Sequence, residues 1–345
     1  MYADEEGFPY PVIKDELCRK CGKCATVCHE RIREKRHPID CFAAISKSLE
    51  TRMNSSSGGV FYELSKVVIS RGGVVFGAAF DSCWKVKHRS AQSLEELIPL
   101  MGSKYVQSEI GDTYAQAKSF LTQDKNVLFS GTPCQISGLL SYLGKPYKKL
   151  LTIEVICHGI PSPKIWKDFY NTIRNIGQVT SVSFRDKSAG WRNSMFIVKG
   201  DINTLCLTNA RNLYMQSFLY NYSIRKSCYN CSFKSGKSGA DICLGDFWGI
   251  KDCSLDDDKG ISAVVIYSQN GLIAFNESCV IKQKRSYQDI LTGNNYLEES
   301  ASKPILRHLF WKKYKSIGLG AFYSADSCFR RHLLLRFLYR IKNGY

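Results

Sequence analysis

Apolar residues change their spacing along the chain, and the changes mark its elements. Val60, Phe61, Leu64, Val67 and Val68 recur with a helical period and stop at Gly72-Gly73. This stripe predicts an amphipathic helix closed by glycine. The apolar run Val74–Phe80 predicts a buried strand, and Trp84, Val86 and His88 alternate as the next one would. Helical patterns follow over 92–101 and 112–123, then a strand over 126–130, a helix over 134–143 and an apolar strand over 151–157. Prolines open a further helix over 161–176, as the first turn tolerates them. Strand pieces over 178–200 are interrupted at 188–193. A basic loop region over 225–247 ends in a strand at 241–245, and 261–267 reads as another strand. Such alternation predicts an α/β fold, helices packed on a mixed sheet. Residues 1–45 read instead as irregular and cysteine-rich. The expected organisation is thus a short segment 1–45, a main domain 46–300 and a basic helical extension 301–345.

Composition narrows the class without fixing it. The 345 residues are 44% hydrophobic and 23% charged, ordinary for a globular protein. Fifteen cysteines without a secretory leader suggest thiolates reserved for metal in a reducing cytoplasm. No apolar stretch approaches the ~20 residues that span a bilayer. The net charge of +17 attracts acidic partners, but no nucleic-acid motif accompanies it, so no specific nucleic acid is expected. Much of the excess lies in 226–237 and 303–342. There Phe329, Leu333, Phe337 and Ile341 form a stripe beside Arg330, Arg331, Arg336, Arg340 and Lys342. That pattern suits peripheral contact with an anionic membrane surface, an acidic partner, or a helix capping the core.

The strongest chemical signal is Cys18-Arg-Lys-Cys21-Gly-Lys-Cys24-Ala-Thr-Val-Cys28. Three cysteines two residues apart and a fourth three further on have the bacterial ferredoxin spacing for a [4Fe–4S] cluster. Zinc sites more often pair cysteines across a longer span. In two-cluster ferredoxins the fourth cysteine serves the other cluster. The fourth ligand here is therefore open among Cys28, Cys41 and a partner protein, and His29 stands where a proline is usual.

Nine strings in order resemble the coenzyme F420 hydrogenase/dehydrogenase beta-subunit family. They begin with Asp4-Glu-Glu-Gly-Phe-Pro-Tyr-Pro11, Ser55-Ser-Ser-Gly-Gly-Val-Phe61 and Gly72-Gly-Val-Val-Phe-Gly-Ala-Ala-Phe-Asp81. Next come Gly102-Ser-Lys-Tyr-Val-Gln-Ser108, Ser130-Gly-Thr-Pro-Cys-Gln135 and Ile156-Cys-His-Gly-Ile-Pro-Ser162. Phe184-Arg-Asp-Lys187 with Gly190-Trp191, Ser227-Cys-Tyr-Asn-Cys231 and Asp241-Ile-Cys-Leu-Gly-Asp-Phe-Trp-Gly249 complete the set. The resemblance implies a flavin domain with a partial ferredoxin-like segment before it, binding FAD and [4Fe–4S] clusters. It also implies an oxidoreductase that passes electrons between a redox partner protein (a partner subunit or a ferredoxin), clusters, flavin and a small two-electron partner such as F420. Relatives also occur among polysaccharide-biosynthesis functions.

Within these strings particular residues suit particular tasks. Ser55, Ser56, Ser57, Gly58 and Gly59 at a helix start suit an anion; the resemblance assigns it as the FAD pyrophosphate. Lys104 would place a cation near reduced flavin, with Tyr105 nearby. Ser130, Gly131 and Thr132 follow a strand, where α/β sheets bind ligands. Cys134, Cys157, Cys228 and Cys231 form a second four-thiol set suited to a cubane, with Cys243 as substitute. Zinc at Cys228 and Cys231, or a nucleophilic Cys134, are the alternatives. His158 is placed to relay a proton or to serve structure. Arg185 and Lys187 suit an acidic substrate group or face water, and Trp248 suits ring stacking or core packing. An electron-transfer or assembly subunit and a zinc-stabilised binder of acidic polymers are the rival functions.

Overall fold

The computed structural model describes residues 1–28, 34–173 and 176–325. His29 and the stripe over 329–342 lie outside the described residues. Two short strands, β1 (Tyr2–Ala3) and β2 (Pro9–Tyr10), pair with each other. The main sheet takes β3 (Asp40–Ser46), β4 (Val74–Phe80), β5 (Val86–Ala91), β6 (Val127–Gly131) and β7 (Leu150–Val155). After β8 (Val179–Asp186), β9 (Met195–Gly200) and β10 (Thr204–Leu207), which form a separate antiparallel sheet, the chain returns with β11 (Ile242–Asp246), β12 (Ser262–Ile266) and β13 (Val280–Lys284). The eight-stranded order is β13-β3-β12-β11-β7-β6-β4-β5. Its centre, β11-β7-β6-β4, is parallel and its flanks are antiparallel.

Alternation across the sheet builds two cores. On one face Phe42, Ala44, Val75, Leu128, Ile153 and Val264 pack under the helices Val60–Ser70 and Gln269–Glu277. On the other, Val74, Phe76, Val127 and Phe129 meet the helices Thr113–Thr122 and Pro133–Leu143. Both faces are covered, so the parallel strands read as continuous apolar runs. A third core joins β8 and β9 to the helices Pro163–Thr172, Leu213–Leu219 and Arg307–Ile317.

The expected boundary after Ile45 falls inside β3, which sits between β13 and β12. Cys41-Phe-Ala-Ala-Ile45 is an apolar run buried on both faces, so it joins the sheet rather than ending a separate segment. The first residues are likewise built in. Phe8 is fully buried, and the Glu6 carboxylate pairs with the Arg307 guanidinium in the last described long helix. Among the described residues no helix is long and apolar enough to cross a membrane.

Candidate functional site: a cavity at the carboxyl ends of the parallel strands

The parallel strands β4, β6, β7 and β11 all end at one cavity of about 630 Å³, lined by Ala78, Ser130–Thr132, Val155–His158 and Leu244–Asp246. This is the edge at which open α/β sheets place ligands, because loops diverge there and leave a crevice. Met215 and Phe218 on the helix Leu213–Leu219, with Arg185 on β8, close it from the second sheet. Its walls are mainly apolar with a few polar groups, as in a cofactor site.

Part of the lining is the serine loop. Ser55, Ser56, Ser57 and Gly59 line the cavity and lead into the first turn of Val60–Ser70, whose N–H groups lack partners within the helix. The three hydroxyls differ in availability. Ser55 donates to Thr51 O (2.8 Å) and Ser57 to Ile261 O (2.6 Å), so each has spent its one proton. Ser56 instead accepts from the Ser103 N–H (2.6 Å) and keeps its proton for a ligand. Gly58 does not line the cavity. It lets the loop press on the sheet, since a Cβ there would stand 2.3 Å from Ala44 O. Gly59, at φ +87°, is the turn that needs glycine.

Lys104 lies on the adjoining wall, its Nζ donating to Pro99 O (2.8 Å) and Met101 O (2.6 Å). Burial pushes its pKa down to about 7. Tyr105 lines the same wall, its ring edge-on to Phe184 at 5.6 Å. Lys187, read as a residue for acidic groups or for water, does neither: buried, it donates to Arg52 O, Ser57 O (2.9 Å) and Lys259 O (2.7 Å). It ties β8 to the serine loop.

Beyond β6, Ser130 turns its hydroxyl back to Phe76 O (3.0 Å), while Thr132 caps the helix Pro133–Leu143 and contacts Cys134 Sγ at 3.1 Å. His88 is a wall residue that the sequence pattern did not single out. Nε2 meets Ser130 O at 3.0 Å, and Nδ1 meets Ser108 Oγ at 2.7 Å. Burial lowers its pKa to about 4, keeping the ring neutral. In the sequence it looks like one position of an alternating strand.

A further part of the lining carries a thiol. Cys157 and His158 follow β7 and line the cavity. The His158 ring stacks on Tyr296 (4.1 Å between centroids, 15°) and its Nε2 pairs with Asn221 Oδ1. Asn221 Nδ2 donates to Ser302 O (2.9 Å), which fixes the amide and makes Nε2 the protonated nitrogen. Burial lowers its pKa. Around Cys157 gather Cys134, from the start of a helix, and Cys228 and Cys231, from the loop after Ile224. Burial raises the Cys157 thiol; Lys234 opposes this, and Cys228, Cys134 and Cys231 add to it. Cys134 and Cys228 are likewise raised first by burial and then further by Cys231. All four thiols therefore share one electrostatic neighbourhood. Lys234, also unmarked in the sequence, is buried and donates from Nζ to Cys157 O and to Tyr296 O (2.5 Å).

The first cysteine run stands apart. Cys18, Cys21 and Cys24 are exposed and Cys28 half-buried. Cys41, one candidate fourth ligand, is buried in the core of the main sheet with Ala43 and Ile45. Cys243 lies in that core too, against Glu154. Among the described residues no three His, Cys, Asp or Glu side chains stand close enough to grip one ion. A cubane distributes its thiolates over separate iron corners, so its ligands stand further apart than those of a single ion.

The chain residues fit an anionic dinucleotide with an apolar ring system. A hydroxyl donor, a helix start and Lys104 face the cavity, and the aromatic residues Tyr105, Phe218 and Tyr296 line its walls. No curated protein matches the chain. Among solved structures it resembles a chain of the F420-reducing [NiFe] hydrogenase complex from Methanosarcina barkeri, in its xenon-derivatised form. The match has a TM-score of 0.52 at 17% identity and covers 76% of this chain and 87% of that one. At that identity the likeness is one of fold. Residues 124–286 match the family model for the carboxyl-terminal part of the coenzyme F420 hydrogenase/dehydrogenase beta subunit. That stretch carries β6 through β13 together with Cys134, Cys157, Cys228 and Cys231. Over that stretch the chain matches the coenzyme F420 hydrogenase/dehydrogenase beta-subunit family.

Proposed function

We propose that the chain is an oxidoreductase that holds FAD in the cavity and a [4Fe–4S] cluster on Cys134, Cys157, Cys228 and Cys231. The observation that carries this reading is the gathering of these thiols, drawn from three separate stretches, around Cys157 on the wall of a cavity that the serine loop also lines. FAD, when bound, supplies the conversion between one-electron and two-electron transfer. The residues supply the setting. Ser56, the helix start and Lys104 hold negative charge, and the apolar walls exclude water. Lys234 offsets the charge of thiolates near Cys157. His158, held in one tautomer by Asn221, keeps Nδ1 as a proton acceptor. A nucleophilic Cys134 is disfavoured because burial raises its thiol and His158 is engaged with Asn221.

Cys18, Cys21, Cys24 and Cys28 are proposed as the ligands of a second cluster. Their exposure beside Arg19, Lys20 and Lys23 suits exchange with an acidic redox partner protein, such as a ferredoxin or a partner subunit. The small two-electron partner is F420 or another soluble carrier, in a polysaccharide-related or other pathway. Anaerobic purification followed by iron, sulfide and flavin analysis tests the proposal. Iron and sulfide in equal amounts, with FAD, are expected, and C157S should lose most of the iron bound at the second set. Material that takes up neither iron nor flavin on anaerobic reconstitution rules the reading out.

A further inference from the structure

Arg185 has hydrogen-bonding capacity that the folded chain does not use. Its side chain is only 9% exposed and lines the cavity. Nε donates to Ser194 Oγ (2.7 Å), and Nη1 to Asp246 Oδ2 (2.9 Å) and, at 3.5 Å, to the Tyr105 hydroxyl. Nη2 is buried and has no partner. An unpaired buried donor on a charged group is costly, and native proteins pair nearly all such groups. The guanidinium is also held rigidly. It lies over the Trp248 ring at 5.0 Å, Trp248 stacks on Trp191 at 4.6 Å and 5°, and Arg192 covers the outer ring at 5.6 Å. Asp246 accepts from Trp191 Nε1 (2.8 Å) as well as from Arg185, so both its oxygens are committed. Ser57 Oγ lies 3.4 Å from Gly245 O, which places this group near the serine loop.

We infer that Arg185 is an anion anchor of the cavity, donating through Nη2 to phosphate oxygens of the molecule bound there, alongside Ser56 and Lys104. A planar donor fixed before binding loses little entropy on contact, and guanidinium matches phosphate in shape. The inference rests on the reading of the cavity as a site for a phosphorylated ligand. The phosphate belongs either to the resident dinucleotide or to a second phosphorylated ligand.

Calorimetric titration of the full chain with inorganic pyrophosphate, beside flavin-fluorescence titration with FAD, tests this and separates the sources. R185Q should weaken pyrophosphate binding roughly ten- to hundredfold, the size of one charge-assisted contact. R185K keeps the charge but not the fork, and should weaken it similarly; it serves if R185Q does not fold. R71Q, which removes an exposed partner of Glu277 away from the cavity, should bind as the parent does. Loss of FAD affinity in parallel assigns the phosphate to the dinucleotide, and loss for pyrophosphate alone assigns it to the second ligand. A parent chain that binds pyrophosphate but not FAD ends the flavin reading and leaves this one standing. Unchanged pyrophosphate binding in R185Q and R185K, or none in the parent, overturns the anchor.

Discussion

Replacing Glu6 by alanine removes one side of a buried ion pair, and its cost follows from what is left behind. Glu6 and Arg307 have side-chain exposures of 10% and 5% and meet through two bonds, one of 2.7 Å from Nη1 to Oε1. After truncation Arg307 keeps two neutral acceptors, the Tyr229 hydroxyl at 2.7 Å and Ile224 O at 2.9 Å, but no counter-charge. Stranding a buried charge in this way costs about 3–5 kcal/mol. With a urea slope of about 2–3 kcal/mol/M, the unfolding midpoint should fall by roughly 1–2.5 M. E6A should also loosen Phe8 and the Ser162 hydroxyl, which donates to Glu6 O. R307M alone should cost less, because Lys226 Nζ at 3.5 Å still offsets the Glu6 carboxylate left behind. The double variant E6A/R307M should recover part of the E6A loss, since both charges are then gone. Urea denaturation of the four proteins followed by tyrosine and tryptophan fluorescence measures the cycle. A loss below about 1 kcal/mol for E6A, typical of an exposed pair, would show that this pair is solvated and that the amino-terminal strap is not locked to the helix Arg307–Ile317.

Three further outcomes follow from the site. Serine at Cys134, Cys228 or Cys231 should each reduce bound iron as C157S does, whereas C206S, at an exposed strand position, should leave iron analysis unchanged. FAD affinity should weaken by up to about tenfold per pH unit above pH 7, because Lys104, lowered to about 7, loses its ammonium there. The sign is opposite for stability of the cofactor-free chain: between about 7 and the ordinary 10.5 the unfolded chain holds a proton that folded Lys104 has lost, so the burial penalty is full below about 7 and stability rises with pH through that window. K104M should flatten both slopes, read by flavin titration and by urea midpoints across pH 6–9; His88, lowered to about 4, stays neutral over that range. G58A should lose roughly 1–3 kcal/mol in urea unfolding, because the added methyl would meet Ala44 O at 2.3 Å and the Ser262 N at 2.7 Å.

Local pattern was enough for most elements of the main domain. The stripe from Val60 to Val68 is the helix Val60–Ser70, the run from Val74 is β4, and prolines do open the helix Pro163–Thr172. The interruption at 188–193 separates β8 from β9, as expected from the broken alternation. Where pattern failed, a competing signal had masked it. Residues 40–46 read as the tail of a cysteine-rich segment, yet two-sided burial makes them a strand near the sheet edge. The serine loop was legible as a helix start because its chemistry is local. The difference between Ser56 and its neighbours was not, for it depends on Ser103 and Ile261.

What the sequence settled by itself is chemistry carried over short distances: cysteine spacing, capping residues, helical and strand periods, and the strings that carry the family resemblance. What the tertiary structure alone decided is which remote groups face one another and which are already spent. Lys187 looked free for a ligand, but three carbonyls from distant loops consume it, and Arg185 two residues earlier keeps an unused donor. Cys134, Cys157, Cys228 and Cys231 are almost a hundred positions apart at their extremes, and no spacing rule spans that separation. Parallel strands ordered β11-β7-β6-β4 bring their carboxyl ends together, and so groups scattered along the chain line one cavity.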